Sequence, residues 1–108
     1  VDRGWIPEWI PANARNLREV HDLDNNLSAL AFEIPPRTHW PLPDGCIAVR
    51  FAQTPPNHFS RDWWPSREEL EREYAFFECR RDPVRHVFVG RRLDGRGGLH
   101  WRSASRGP

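Results

Sequence analysis

The sequence has no lysine and no methionine, so all 16 of its basic residues are arginine. GC-rich coding alone produces such a bias, and it carries no functional implication. Apolar runs are short, and none approaches the ~18 residues that a membrane helix needs. No secretory signal pattern opens the chain, which starts at Val1 rather than Met. The expectation is a mature product, a trimmed chain or an excised domain. Cysteine is sparse. Cys46 and Cys79 are the only two, and neither sits in a CxxC or Cys/His zinc spacing. Free buried thiols are the expectation for them, with a disulfide as the alternative in an extracytoplasmic setting. A nucleophile elbow, a Walker loop and a dinucleotide fingerprint are all missing. The five histidines, at 21, 39, 58, 86 and 100, contain no i, i+4 pair. These absences predict no catalytic residues, no metal site and no cofactor.

Tryptophan and proline, by contrast, are abundant. Six Trp and 11 Pro occur in 108 residues, and seven of the prolines lie between Pro35 and Pro65. So punctuated a chain cannot be mainly helical. At this length one domain is expected over 1–108, and folding buries about two-thirds of the surface. The net charge is +1, unevenly spread. Residues 1–79 hold 8 Arg against 13 acids, a net of −5, and residues 80–108 hold 8 Arg against 2 acids, a net of +6. A total near zero argues against general nucleic-acid binding, which usually shows a basic excess.

Local signals then give the elements. Trp5-Ile6-Pro7 and Trp9-Ile10-Pro11 repeat at a four-residue step, and they predict an extended, Pro-rich lead over 1–15 that pins Trp rings onto the domain. Residues 16–23 and 28–34 flank the Asp24-Asn25-Asn26 turn as a hairpin, with Leu30, Phe32 and Ile34 on one face. Residues 46–51 form a strand. Ser66 and Glu69 fit a capping box for one short helix ending near Glu73 or Tyr74. Residues 75–80, 85–93 and 99–102 are further strands, with Val87, Val89, Leu99 and Trp101 inward, and 103–108 is a frayed tail. The predicted class is α+β, with a mainly antiparallel sheet of about six strands and one short helix.

Candidate sites follow from what the elements leave over. Trp40, Trp63 and Trp64 fall in Pro-rich loops, outside clear core strands, and they are the candidate protein contacts, since Trp and Arg anchor interfaces. Arg91 and Arg92 are the candidate basic contacts. An alternative is single-stranded nucleic acid stacked on an Arg/aromatic sheet face that would join Arg80, Arg81, Arg91 and Arg92. Another is a small-ligand or hydrolytic site around His21 and Asp24. Asp22, Asp24, Asn26 and Glu33 stand at EF-hand offsets, but Leu27 occupies the position where the loop needs Gly, so an Asx-rich turn is expected instead.

One further pattern concerns the first third of the chain. Gly4-Trp5-Ile6-Pro7, the second proline at Pro11, Ala14-Arg15-Asn16-Leu17 and His21-Asp22-Leu23-Asp24-Asn25-Asn26 are followed by an alternating strand that reaches Phe32. This resembles a family of small bacterial domains that includes the YbbD head domain and short lipoprotein-like proteins. Phe76 to Cys79 and Leu99-His100-Trp101 are similar in a looser way. The resemblance implies a bacterial source, attachment to the cell envelope and an accessory or binding role, with a cytoplasmic location as the alternative. It implies no catalytic residues. Residues and resemblance together predict a non-enzymatic protein-binding module, accessory or immunity-type. Another protein is the expected partner, and no membrane span is expected.

Overall fold

A computed structural model describes residues 7, 9–25, 27–42, 44–79 and 86–103. Six strands form one antiparallel sheet: β1 (Arg15–Asp22), β2 (Leu27–Glu33), β3 (Cys46–Val49), β4 (Tyr74–Cys79), β5 (His86–Arg92) and β6 (Gly97–Ser103). A three-residue 3₁₀ turn (Phe51–Gln53) and the helix α1 (Arg67–Glu73) lie between β3 and β4. The fold is therefore mostly β. The helical part of the α+β expectation amounts to these two short pieces.

The strand order is β1-β2-β6-β5-β4-β3. Two hairpins, β1–β2 and β5–β6, meet where β2 pairs with β6, from Ser28↔Arg102 to Glu33↔Gly97. The turn of the first hairpin is built by Asp22, whose carboxylate accepts from the Asp24 backbone N–H at 2.9 Å and from Asn25 Nδ2 at 3.0 Å. That is the Asx turn expected from its residues. α1 starts as its capping box predicts. Ser66 Oγ accepts from the Glu69 N–H, and a Glu69 carboxylate oxygen accepts from the Ser66 N–H, both at 3.3 Å.

β2 and β3 are consecutive in sequence but sit on different sides of the sheet centre. Residues 34–45 must therefore cross one face, and residues 50–73, which join the neighbouring strands β3 and β4, fold out over the other. This explains why both faces are buried. On one face Leu30, Phe32, Ile34, Val87 and Val89 pack with Ile10 and Trp40. On the other, Ala29, Phe76, Phe88, Leu99 and Trp101 pack under Phe59, Trp63, Trp64 and Leu70. Val87, Val89, Leu99 and Trp101 are all buried, as expected. They do not share a face, however: the valines belong to the first cluster, and Leu99 and Trp101 to the second. Successive strand residues alternate in direction, so a sheet covered twice accepts apolar residues at both parities.

Three expectations are corrected. The lead is turned rather than extended over its described residues. The Ile10 N–H bonds to the Pro7 carbonyl and the Ala14 N–H to the Pro11 carbonyl, closing two successive turns. Proline blocks a ladder but not a turn, and the turns lay Trp9 and Ile10 onto the sheet. Trp5 lies outside the described residues. Second, Ser103 is a buried residue of β6, not part of a frayed tail. Third, the cysteines are not free thiols. Cys46 and Cys79 face each other across the β3–β4 ladder and are joined as a disulfide. Sequence spacing gave no sign of this, because the long connection 50–73 separates the two paired strands and carries no pattern that shows they are neighbours.

Trp40 also departs from its expected place. It lies in a loop, but its ring is 5% exposed and is a core side chain. It stacks on Trp9 at 6.2 Å and meets Phe32 edge-on at 5.1 Å. Gly98 makes room for it. A Cβ on Gly98 would lie 2.6 Å from Trp40 Cζ3 and 3.0 Å from the Gly90 carbonyl oxygen. Gly98→Ala is therefore expected to cost about 1–3 kcal/mol through overpacking. For a domain of this size each kcal/mol lowers Tm by about 4–8 °C. A thermal melt by circular dichroism checks this, and an unchanged Tm would show that the ring can shift at no cost.

Candidate functional site

The connection over the second face, between β3 and β4, does not lie flat. Pro55, Pro56 and Pro65 deny residues 54–65 a regular ladder, and the segment arches away from the sheet. Beneath it is a half-open cavity of about 550 Å³, walled by Phe51, Phe59, Trp64 and Leu70, with Trp101 as floor. This is within the usual size range of ligand pockets. Trp64 stands edge-on to Trp101 at 5.5 Å and edge-on to Trp63 at 6.1 Å. Such T-shaped pairs fix ring positions as well as burying area.

Polar groups at this cleft are few and specific. Asn57 Oδ1 accepts from the Phe59 backbone N–H at 2.9 Å, which fixes the amide orientation. Its Nδ2 is buried and has no hydrogen-bond partner among the described residues. The Trp101 Nε1 is likewise buried and unpartnered. Arg61 lies over the Phe59 ring at 5.8 Å and Arg67 over the Phe51 ring at 5.7 Å. Among the described residues no carboxylate, imidazole or thiol lines the cleft. Its groups can bind and orient a ligand, but they offer no proton donor or acceptor of the ordinary acid–base kind.

The residues singled out from sequence are divided among three places. Trp64 lines the large cleft. Trp63 is half-buried and borders a smaller depression of about 120 Å³ with Tyr74 and Arg92. Trp40, Arg91 and Arg92 border a third, of about 230 Å³. There the Arg91 guanidinium lies 5.0 Å from the centre of the Trp40 ring and 5.9 Å from that of Phe77, and burial lowers its pKa. Arg92 instead bonds Asp94 at 2.8 Å and sits opposite Tyr74 in the β4–β5 register. Burial pushes the Tyr74 hydroxyl pKa up, with Arg92 opposing. As adjacent strand residues, Arg91 and Arg92 project from opposite faces, and each is engaged there. Arg80 and Arg81 lie outside the described residues.

The residues considered for a small-ligand site do not converge. His21 pairs with Glu19 at 2.8 Å, and Asp22 is committed to its turn. His58 is exposed in the Pro-rich loop, with Phe59 edge-on at 4.9 Å. His100 is buried in β6 on the first face, and its ring lies 5.6 Å from that of Trp9. Among the described residues no group of three or more His, Cys, Asp or Glu side chains could hold a metal ion. No described helix is long and apolar enough to cross a membrane.

Sequence reasoning placed Trp63 and Trp64 in a Pro-rich loop but missed Phe51, Asn57, Phe59 and Trp101 as parts of one site. The available signal was weak: aromatics clustered around Pro55-Pro56, with an Asn two residues before Phe59. Trp101 is far away in sequence and joins only through the sheet.

No curated protein and no solved structure matches the chain. Residues 1–33 match the family model of the YbbD head domain, so the similarity covers the turned lead and the β1–β2 hairpin and stops short of the cleft.

Proposed function

We propose that this chain is a non-enzymatic protein-binding module, of an accessory or immunity type, and that it holds its partner at the cleft beneath residues 54–65. The observation that carries this reading is the half-buried Trp64, set in an aromatic wall around a cavity of about 550 Å³. Aromatic side chains in partly enclosed surroundings are the usual anchors of interfaces, because they gain area at little entropic cost. The lining supports recognition better than chemistry, since the Thr54 and Ser60 hydroxyls in it have no imidazole or carboxylate beside them among the described lining residues. A location at the bacterial cell envelope fits two features. Residues 1–33 are similar to the YbbD head domain, and a disulfide joins Cys46 to Cys79. Disulfides persist mainly in oxidising compartments.

The test is retention of a partner by the immobilised protein from a bacterial envelope extract, with the retained protein then purified and titrated by calorimetry. Trp64→Ala should weaken that titration about tenfold or more, as expected for a central anchor. Leu93→Ala, at an exposed position in the β5–β6 turn, should leave it unchanged. Equal binding by the wild type and Trp64→Ala would sink the assignment to this cleft. Tight, salt-sensitive binding of an oligonucleotide in place of a protein would sink the protein-binding reading itself.

A further inference from the structure

On the first face, Arg91 carries a charge that no described residue neutralises. It stands opposite Gly98 in the β5–β6 register and lies against Trp40 of the 34–45 crossover and Phe77 of β4. The side chain is half-buried, yet a guanidinium stays charged at neutral pH. Its two ring neighbours offer no oxygen acceptor. Arg67 has Glu71 at 3.1 Å and Arg92 has Asp94 at 2.8 Å, whereas Arg91 makes no hydrogen bond or ion pair among the described residues. A charged group that gives up hydration without a counter-charge is costly until an acceptor arrives. The acids at this end of the sheet are committed elsewhere. Asp94 accepts from Arg92 and from the Arg96 N–H, and Glu33, opposite Gly97, accepts from Asn16 Nδ2 at 2.9 Å. Glu73 belongs to α1, on the second face.

Arg91 lines the depression of about 230 Å³ on this face, together with Ile34, Thr38 and Trp40 of the crossover and Gly97 of β6. No acid is among its described lining residues. Thr38 adds a second donor. Its Oγ1 accepts from Asn13 Nδ2 at 3.2 Å, which leaves its own proton to give. Size and charge then set the ligand. The depression is smaller than the about 300–1,000 Å³ of sites that enclose a drug-sized molecule, so it suits one small group. One uncompensated positive charge matches one negative charge, and a dianion such as phosphate would leave its second charge unanswered, because Arg92 is already paired. A planar guanidinium holds a planar carboxylate through two parallel N–H bonds. Ile34 and Trp40 suit a short apolar stem behind that carboxylate. We infer that the depression at Arg91 is a carboxylate-binding site, which takes a monocarboxylate on a short apolar stem. The stem can be that of a glutamate on a partner chain or that of a free short-chain acid. The inference does not depend on the cleft, which lies on the other face.

The probe is sodium propionate, titrated into the disulfide-intact protein and followed by heteronuclear NMR of the assigned Arg91 Nε–H and by tryptophan fluorescence. The Arg91 signal should shift saturably, with a change in emission, because Trp40 lines the site. Sodium chloride at equal concentration should leave the signal in place. Propionamide, similar in shape but uncharged, should not bind, and inorganic phosphate at equal ionic strength should bind about tenfold more weakly. Arg91→Lys keeps the charge and loses the fork, so propionate affinity should fall about tenfold. Thr38→Val should weaken it about threefold. Arg72→Gln, exposed on α1, should leave the titration unchanged. A capped Gly-Glu-Gly peptide separates the two sources. If it shifts the Arg91 signal at or below the propionate concentration, the carboxylate comes from a partner chain. If it needs more or has no effect, the ligand is a free acid. No saturable shift in the wild type, an equal shift with chloride or propionamide, or full propionate affinity in a folded Arg91→Lys protein would overturn the inference. Should Arg91→Lys not fold, the wild-type titrations with propionate, propionamide and chloride decide it alone.

Discussion

Reduction of the Cys46–Cys79 disulfide is expected to lower the unfolding free energy by about 3–4 kcal/mol, from the entropy of the loop it closes. The two cysteines are 33 residues apart, and the whole second-face connection lies between them. In the unfolded chain the bond keeps those ends together, which removes conformations that the reduced chain regains. Domains of this size have about 5–15 kcal/mol in total, so the loss is a large share. The position adds a second effect. β3 is a four-residue edge strand, paired only with β4, and the bond ties its first residue to the last residue of β4. Without the bond the edge should fray first, together with the 3₁₀ turn behind it and the near wall of the cleft. Urea unfolding with and without reductant measures this. The midpoint should fall and the slope should rise, because a reduced unfolded chain exposes more surface. Cys46→Ala/Cys79→Ala should match the reduced wild type closely, since Cys79 is 1% exposed and Ala leaves no polar group in its place. An unchanged midpoint after confirmed reduction would mean that the connection is held by its packing alone.

The strength of that connection explains what could be read from the sequence. Each hairpin announced itself locally. Asp24-Asn25-Asn26 signals a turn between 16–23 and 28–34, which Asp22 builds in the structure, and Asp94-Gly95 signals one between 85–93 and 99–102, where the Asp94 carboxylate accepts from the Arg96 N–H at 2.9 Å. The helix was legible because its cap is chemistry at fixed spacing, Ser66 to Glu69. The two long connections were not, because proline-rich segments carry no period from which to infer a partner. With them went the two-sided burial of the sheet. Val87-Phe88-Val89 in β5 reads equally well as one inward face or as a strand covered twice, and only the connections decide. The burial of Trp40 and the disulfide were hidden for the same reason: each depends on where a connection lands. Of the cleft, its loop aromatics were visible in the sequence, while its floor, Trp101, belongs to a strand more than thirty residues later.

The second large effect is loss of stability in mild acid, and it comes from His100. The ring is 3% exposed, sits opposite Leu30 and Val89 in the neighbouring strands, and lies against Trp9. Its Nδ1 has no hydrogen-bond partner among the described residues. Burial is the main reason that its pKa falls from 6.5 to about 3, and the nearby Arg102 guanidinium pushes the same way. The charged imidazolium would lose its hydration and gain no acceptor at Nδ1. The sign follows directly. Below pH 6.5 the unfolded chain takes up a proton here that the folded chain refuses until about pH 3. Protons therefore favour unfolding across that window. The contribution to stability is complete above about pH 6.5 and falls by about 1.4 kcal/mol for each unit below it. His100→Leu removes the titrating group and the unpaired nitrogen together, and replaces them with an apolar side chain between apolar strands. The variant and the wild type are to be compared by urea unfolding at pH 7.5 and pH 4.5, so that every other titrating group cancels in the difference. At pH 4.5 the stability gap should shift in favour of His100→Leu by about 3 kcal/mol relative to pH 7.5. A gap that is the same at both pH values would show that the folded protein protonates His100 freely, and hence that Trp9 and the turned lead leave this face open to water.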